Sequence, residues 1–436
     1  RLQTIAYENN INVPKVLLDS ETYKVSEWIN GIVIQRVMYI ENVLIQSGEL
    51  LGKLNSIKDP VTETYLTNSE FSLANAVYTK NKKVLVALSG GVDSAVVVFL
   101  LKEKGYDITG GFMSLGQVNE KRDKEAAQKI AKQLNIPFKV INLKKEFKKE
   151  VMDYFLNEYA RGNTPNPCVN CNKKIKLGLL LKKAREMGFW YLATGHYIHS
   201  IKPVKSIKSK VDPRTGGRKS YKLFIGNDDK KDQSYFLYNL NQSQLKHLLF
   251  PLGGYLKNDI KEIAKKLKLP VLEKESQDIC FLSGIDHNVF LEKNLKMKKG
   301  PIVTTEGKIV GEHQGLPLYT VGQRRYIKIG GIGPFYAVKM DYKKNILVVT
   351  NKFDDKILFK NELIVKQINW VSGKKPIFPF KCKAQIRYGH PAENCIITRE
   401  KNKYMVKFKK QQRAITPGQS VVFYKKKELL GGGVIV

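Results

Sequence analysis

Acidic side chains are scarce in this chain: 40 Asp and Glu stand against 75 Lys and Arg in 436 residues, a formal charge of +35. A field of that sign draws polyanions, which puts nucleic acid first among partners and an acidic protein second. Part of the excess has a plainer source, because the richness in Lys, Asn and Ile is a general compositional bias. Cysteine is also sparse. Five unevenly spaced residues exclude a secreted disulfide framework, so the thiols that matter are expected to be reactive or metal-binding. No run of about 18 apolar residues occurs, which excludes an apolar membrane-spanning helix and a membrane partner. The start, RLQTIAYENN, has neither the charged head nor the apolar body of a signal peptide, and the expected location is cytoplasmic. A 42% hydrophobic and 26% charged composition excludes disorder throughout. At roughly 100–200 residues per domain, the length predicts two to four domains.

Residues 1–80 read as an accessory segment, with a hairpin in VPKVLLDSETYKVSEWI and a helix near Val43–Ile57. The pattern loosely resembles the hinge region of aminoglycoside-kinase-like folds, but no His-x-Asp loop or metal-binding Asp motif follows, so phosphotransfer is not expected and the role stays unassigned. From Lys82 the text changes. KKVLVALS is a strand, SGGVDS a turn, AVVVFLLKEKG a helix closed by Gly105, and YDITGGFMSL, PFKVINL and WYLATGHY are further strands around the amphipathic DKEAAQKIAKQLNI. This alternation predicts an α/β domain with a parallel sheet over 81–240, interrupted by a basic, aperiodic insertion at 201–219. A helical remainder over 241–300 includes Lys257–Lys268 and carries Cys280. After about Gly300 the runs PFYAVKMD, NILVVT, CKAQIRYG, NCIITRE, YMVKFKK and SVVFYKK predict a central β-rich domain over 301–360 and a C-terminal β-barrel-like domain over 361–436.

Ser89–Ser94, SGGVDS, lies between a buried strand and a helix, where backbone N–H groups and the helix dipole bind phosphate and glycines at 90 and 91 allow close approach. The ending of a Walker loop is absent, and so is GxGxxG. The segment resembles the pyrophosphatase-type (PP) loop of ATP-using adenylating enzymes, in which Asp93 would help hold magnesium and pyrophosphate. Adenylation turns a carbonyl oxygen into a leaving group, and a nucleophile must then attack. Cys168 and Cys171 fall in RGNTPNPCVNCNKKIKLG, whose prolines bar helix up to Pro167 before IKLGLLLKKAREMG reads as helix. A position near a helix N-terminus beside Lys173 and Lys174 predicts a lowered thiol pKa. Cys280, in ESQDICFLSG, reads by itself as a buried core residue, as do Cys382 and Cys395 in their apolar β segments.

SGGVDS, TPNPCVNCNKKIK, ATGHY, KDQSYFL, SQDICFL, YTVGQRR and TPGQSVVFY occur in this order in one chain. In this the sequence resembles the bacterial tRNA-specific 2-thiouridylases over about residues 82–436, leaving 1–80 uncovered. The resemblance implies an adenine nucleotide α-hydrolase-like (PP-loop) domain, a small central domain and a C-terminal tRNA-binding β-barrel. It implies ATP-dependent 2-thiolation of the wobble uridine in lysine, glutamate and glutamine tRNAs: adenylation of the C2 oxygen, then sulfur transfer from a cysteine persulfide, with AMP and pyrophosphate as products. ATP and Mg2+ are the implied cofactors, and a cysteine desulfurase or sulfur relay is the implied persulfide donor. Carried over by motif, Ala87, Leu88, Ser89, Gly90, Gly91, Val92, Asp93, Ser94, Met113 and Gly195 bind ATP. Asn166, Pro167 and Cys168 meet the target base. Cys171 is the nucleophile and Cys280 carries the persulfide, the two able to form a transient disulfide. His196, Lys231, Asp232, Gln233, Arg387, Tyr388 and Gln419 contact tRNA. Each has a plain alternative when taken alone: KDQSYFL as a polar-edged strand, His196 as a structural histidine, Arg387 and Tyr388 as alternating strand residues, and Gln419 as the residue after a Pro-Gly turn.

One departure changes the chemistry. The family's familiar form has Asp where this chain has Cys168, so no acid/base carboxylate stands at this position. Three thiols, Cys168, Cys171 and Cys280, suit an iron–sulfur cluster with one open iron position. The competing arrangement keeps two reactive cysteines and gives Cys168 the task of shaping the base pocket. A structural zinc site normally wants four ligands. A second departure, the 201–219 insertion, has two readings that deletion separates. If its lysines reach phosphate, removal flattens the slope of log tRNA affinity against log salt; an unchanged slope marks a solvated insertion.

Overall fold

The computed structural model describes residues 83–201, 220–272, 279–282, 284–327, 329, 334–401 and 403–436. The accessory segment 1–80 and all but the first residue of the basic insertion lie outside the described residues. β1 (Val84–Ala87), β2 (Ile108–Ser114), β3 (Phe138–Asn142), β4 (Tyr191–Ala193) and β7 (Leu248–Leu249) form a parallel sheet in the order β3-β2-β1-β4-β7. The central strand VLVA is apolar on successive residues because helices cover a parallel sheet on both faces. α1 (Val92–Glu103) buries Ala95, Val96, Val97 and Val98. α2 (Glu120–Gln133) is charged on one face and buries Ala126, Ala127, Ile130 and Ala131 on the other. Strand order reverses between β1 and β4, and such a reversal opens a crevice at the carboxyl ends of the strands.

The helix expected after Pro167 is wound in three pieces. α3 (Pro167–Cys171) starts with proline at its first position, where no N–H is needed, and Asn166 caps it by accepting from the Val169 N–H at 3.2 Å. Asn172–Leu179 then follows as a π-helix, and α4 (Leu180–Glu186) completes the run.

β8 (Gly300–Thr304), β9 (Ile309–His313), β10 (Tyr336–Asp341) and β11 (Ile346–Thr350) make a four-stranded sheet in the order β10-β11-β8-β9. The last part contains β12 (Phe359–Trp370), β13 (Phe380–Gln385), β14 (Glu393–Glu400), β15 (Lys403–Arg413), β16 (Ser420–Lys425) and β17 (Glu428–Ile435). β12 pairs with both β15 and β17, so the order β12-β15-β14-β13-β16-β17 closes on itself as a barrel. Two strands from the first part, β5 (Ile198–Ile201) and β6 (Lys222–Ile225), extend this sheet from β17. The barrel interior is apolar, with Trp370 stacked on Phe423 at a centroid distance of 5.6 Å. A second core runs without interruption from Leu85 through Leu180 and Tyr238 to Leu347 and Val422, binding all three parts together.

The turn before β16 shows how closely they fit. Gly418 has φ of 89°, and a Cβ there would lie 2.8 Å from both the Asn163 Cβ and the Thr164 N. Gly307 shares the φ of 89° but faces open space. Gly307→Ala therefore isolates backbone strain of about 1–3 kcal/mol, and Gly418→Ala is expected to cost more, read as a larger drop in the urea midpoint.

Candidate active site

The SGGVDS turn leaves the end of β1 and runs directly into α1. Gly90 has φ of 83°, and a Cβ there would meet the Asp123 carbonyl at 2.7 Å, so this position requires glycine. Ser94 ties the turn, accepting from the Ser89 N–H at 3.2 Å and donating to the Gly91 carbonyl at 3.0 Å. Gly195, at the end of β4, comes so close that a Cβ would lie 3.0 Å from that of Asp93. Ala87 and Met113 are half-buried at the ends of β1 and β2, Leu88 is buried, and Val92 begins α1. The ten residues assigned to nucleotide thus gather at the strand-order reversal. Asp93 Oδ1 accepts from Lys257 Nζ and from the Tyr197 hydroxyl, each at 2.6 Å. One carboxylate beside a phosphate-binding turn fits Mg2+, which is commonly held by one or two carboxylates plus substrate phosphates.

A separate cavity of about 720 Å³ opens over α3. Its lining brings together Asn166, Pro167, Cys168, Cys171, His196, Lys231, Gln233, Cys280, Tyr388 and Gln419, from widely separated parts of the chain. KDQSYFL is no strand: Ser234–Leu237 is a 3-10 turn that sets Phe236 against Tyr388 at 4.5 Å between ring centroids. Asp232 and Arg387 do not line the cavity. Asp232 braces the neighbouring turn, accepting from Ser234 Oγ at 2.5 Å and the Gly226 N–H at 3.0 Å. Arg387 donates to the Ala414 carbonyl at 2.7 Å.

The thiols differ from expectation. Cys171 is only 5% exposed, and burial pushes its pKa up to about 12. Burial raises Cys168 as well. Proximity to a helix start does not lower them, because the cost of an anion in an apolar wall outweighs the dipole. Lys173 and Lys174 point away: both are exposed, and Lys174 pairs with Glu150 at 3.5 Å. The opposing cation is Lys176, which lines the cavity and pulls both thiols back toward ionisation. The π-helix explains its position. Five residues of α-helix turn about 500°, leaving side chains about 140° apart, whereas the wider turn of i→i+5 bonding brings positions five apart onto the same side; Lys176 so follows Cys171. Nothing in the text IKLG marks this except the spacing itself.

Cys280, read in isolation as core, is exposed at the cavity. The residues after it supply a wall, with Phe281 edge-on to Phe155 at 5.4 Å. Cys395 is buried and Cys382 half-buried, directly opposite each other on β13 and β14 with sulfurs 3.6 Å apart. His196 is buried, its Nδ1 2.7 Å from Thr194 Oγ1. Burial drops its pKa to about 3, Lys176 pushing the same way, so it meets a ligand as a neutral imidazole. The iron–sulfur expectation finds no assembled ligand set: among the described residues, no group of three or more His, Cys, Asp or Glu is placed to hold a metal ion. An ammonium shares that wall instead.

Family models match in three successive blocks: a tRNA methyl transferase HUP domain at 82–284, a tRNA methyl transferase PRC-barrel domain at 288–351, and an aminomethyltransferase beta-barrel domain at 360–435. The first corresponds to the parallel sheet with the SGGVDS turn, the second to the four-stranded sheet, and the third to the closed barrel. The chain is 43% identical over 371 residues to tRNA-specific 2-thiouridylase MnmA 2 of Thermoanaerobacter sp. (strain X514), covering 81% of this chain and 98% of that one. It is 40% identical over 372 residues to tRNA-specific 2-thiouridylase MnmA of Coxiella burnetii (strain RSA 493 / Nine Mile phase I), covering 82% and 99%. A solved structure, a predicted subunit of tRNA methyltransferase from Methanocaldococcus jannaschii, aligns at 17% identity over 42% of this chain and 74% of that one, with a TM-score of 0.27 too low to bear on fold or function.

The burial of Cys171 has a direct consequence. Its alkylation by iodoacetamide, followed by peptide mass spectrometry, should still climb with pH at pH 10, whereas a thiol of pKa about 8.5 levels off below that. Lys176→Met should slow the reaction by about tenfold or more in this range, the effect of removing an opposite charge. A plateau below pH 9 in the unaltered protein would contradict this account.

Proposed function

Because the chain belongs to the tRNA-specific 2-thiouridylase family, we propose that it converts the wobble uridine of lysine, glutamate and glutamine tRNAs to 2-thiouridine at the expense of ATP. The observation that carries this reading is the convergence of Cys171 and Cys280 with Asn166, Pro167 and Cys168 in one cavity. A single unstacked base is how RNA is commonly presented to a pocket. In the first step the C2 oxygen of the base attacks the α-phosphorus of ATP, and pyrophosphate leaves. Bound at Asp93, Mg2+ would supply charge to the departing phosphates.

In the second step the terminal sulfur of a Cys280 persulfide attacks C2 and AMP leaves, placing a C2–S–S–Cys280 link. The Cys171 thiolate then attacks the Cys280 sulfur. The bond to the outer sulfur breaks, that sulfur stays on C2 as 2-thiouridine, and a Cys171–Cys280 disulfide forms. A thiol reductant supplies two electrons to reset it. Burial of Cys171 beside Lys176 keeps this thiol protonated at rest and gives the thiolate a counter-charge when it forms. Cys168 shapes the base pocket, as a lining residue of the cavity beside Asn166 and Pro167. The exposure of Cys280 lets a persulfide-carrying protein reload it. Among the described residues, no helix is long and apolar enough to cross a membrane. We place the reaction in the cytoplasm, where tRNA is.

The test is nucleoside mass spectrometry of unmodified glutamate, glutamine and lysine tRNAs incubated with protein, ATP, Mg2+ and a sulfide or persulfide source. The expected result is 2-thiouridine that disappears in Cys171→Ser and Cys280→Ser. Tight tRNA and ATP binding without thiolation would replace this reading with a non-catalytic one.

A further inference from the structure

Lys257 is the first residue of a ten-residue helix, α5 (Lys257–Lys266). A cation in the first turn of a helix opposes the helix dipole, at a modest cost. The compensation is Asp93, 2.6 Å away, and the lysine side chain is only 12% exposed. Other groups fix its direction. Its backbone N–H donates to Asp228 Oδ2 at 2.9 Å, and its ammonium lies 5.7 Å from the Tyr197 ring centroid. Beyond α5, the Leu272 N–H donates to the Gly90 carbonyl at 3.1 Å, tying this segment to the same turn. The Asp93 carboxylate therefore sits among an ammonium, a phenol and the start of α1, as the protein's own anion in a place built for anions.

We infer that Lys257 is a polyphosphate-binding residue of the nucleotide site, held by Asp93 until nucleotide arrives and then passed to the β- and γ-phosphates. The inference rests on the ATP-dependent reading above. Magnesium drawn to Asp93 and phosphate drawn to Lys257 break the pair from both sides. The ammonium then faces the phosphates that leave as pyrophosphate. Only a nucleotide carrying those phosphates profits, so AMP should be indifferent to Lys257.

Calorimetric titration of ATP and of AMP into the full chain, with and without Mg2+, tests this in the unaltered protein, Lys257→Met and Lys257→Arg. Lys257→Met should weaken ATP by about tenfold or more, as loss of a charge-assisted contact does, and leave AMP within about twofold. Retained AMP binding also shows that the site is folded. Lys257→Arg should recover part of the loss. Unchanged ATP affinity in Lys257→Met overturns the inference, and so does an equal loss for ATP and AMP, which would make Lys257 only a brace for Asp93. Failure of the unaltered protein to bind ATP would instead defeat the ATP-dependent reading.

Discussion

Thr164 is where three parts of the chain are tied together. Its N–H donates to the Pro417 carbonyl at 2.9 Å, its carbonyl accepts from Gln419 Nε2 at 2.8 Å, and its hydroxyl lies 3.0 Å from that of Thr320. The need for outside partners follows from the sequence TPNPC. Two prolines remove two N–H groups from a short loop, so it cannot be held by a ladder of its own. The barrel and the middle sheet supply what the loop lacks. Asn163 adds a bond to Glu158 at 2.8 Å. The position of α3, and with it Cys168 and Cys171, is thereby set by residues about 150 to 250 positions later in the chain. A first domain cut from its C-terminal neighbours would lose the clamp on its thiols.

The clamp makes burial of the thiols tolerable, and burial decides their chemistry. A thiol in an apolar wall is inert at rest and is kept from solvent oxidants. Reactivity then depends on a cation delivered to the same wall. A regular α-helix from Pro167 to Glu186 would carry Lys176 about 140° away from Cys171. The wider turn of the π-helical segment Asn172–Leu179 reduces that offset. Such turns are frequently placed at functional sites.

Much of this was legible in the text because it is local. SGGVDS states its own geometry: the strand before it is apolar, the helix after it is apolar, and the glycine at 90 is required by φ. The same holds for β11, β14 and β16, whose short runs are rich in β-branched residues. β12 was not legible. FKNELIVKQINW mixes charge and apolar residues, and its alternation breaks at Gln367, where φ is 55° and the pairing with β17 shifts register. Cys280 misled for a different reason. Burial preference averages over proteins, while this cysteine is held at a cavity by the aromatic residue that follows it. Tyr197 and Lys257 act through a partner 104 and 164 positions away, and no window of sequence joins residues so far apart; Lys176 is only five positions from Cys171, but its approach depends on a π-helix that the sequence does not announce.

The charge of +35 and the cavity divide recognition between them. A field of lysines attracts any polyanion and carries no sequence information. Discrimination needs short-range donors and acceptors whose state does not change with the surroundings. Burial holds His196 neutral, so it offers a directional hydrogen bond in place of a charge. Asn166 and Gln233 stand on the same wall and are neutral by nature. Lys230 and Lys231 mark its rim as cationic, and Tyr388, 46% exposed, offers a face for stacking. The field acts at long range, and the neutral polar groups on the wall offer directional hydrogen bonds at short range. Lys176, Lys230 and Lys231 line the same cavity, so cations stand beside these neutral groups and charge and directional hydrogen bonding meet in one place.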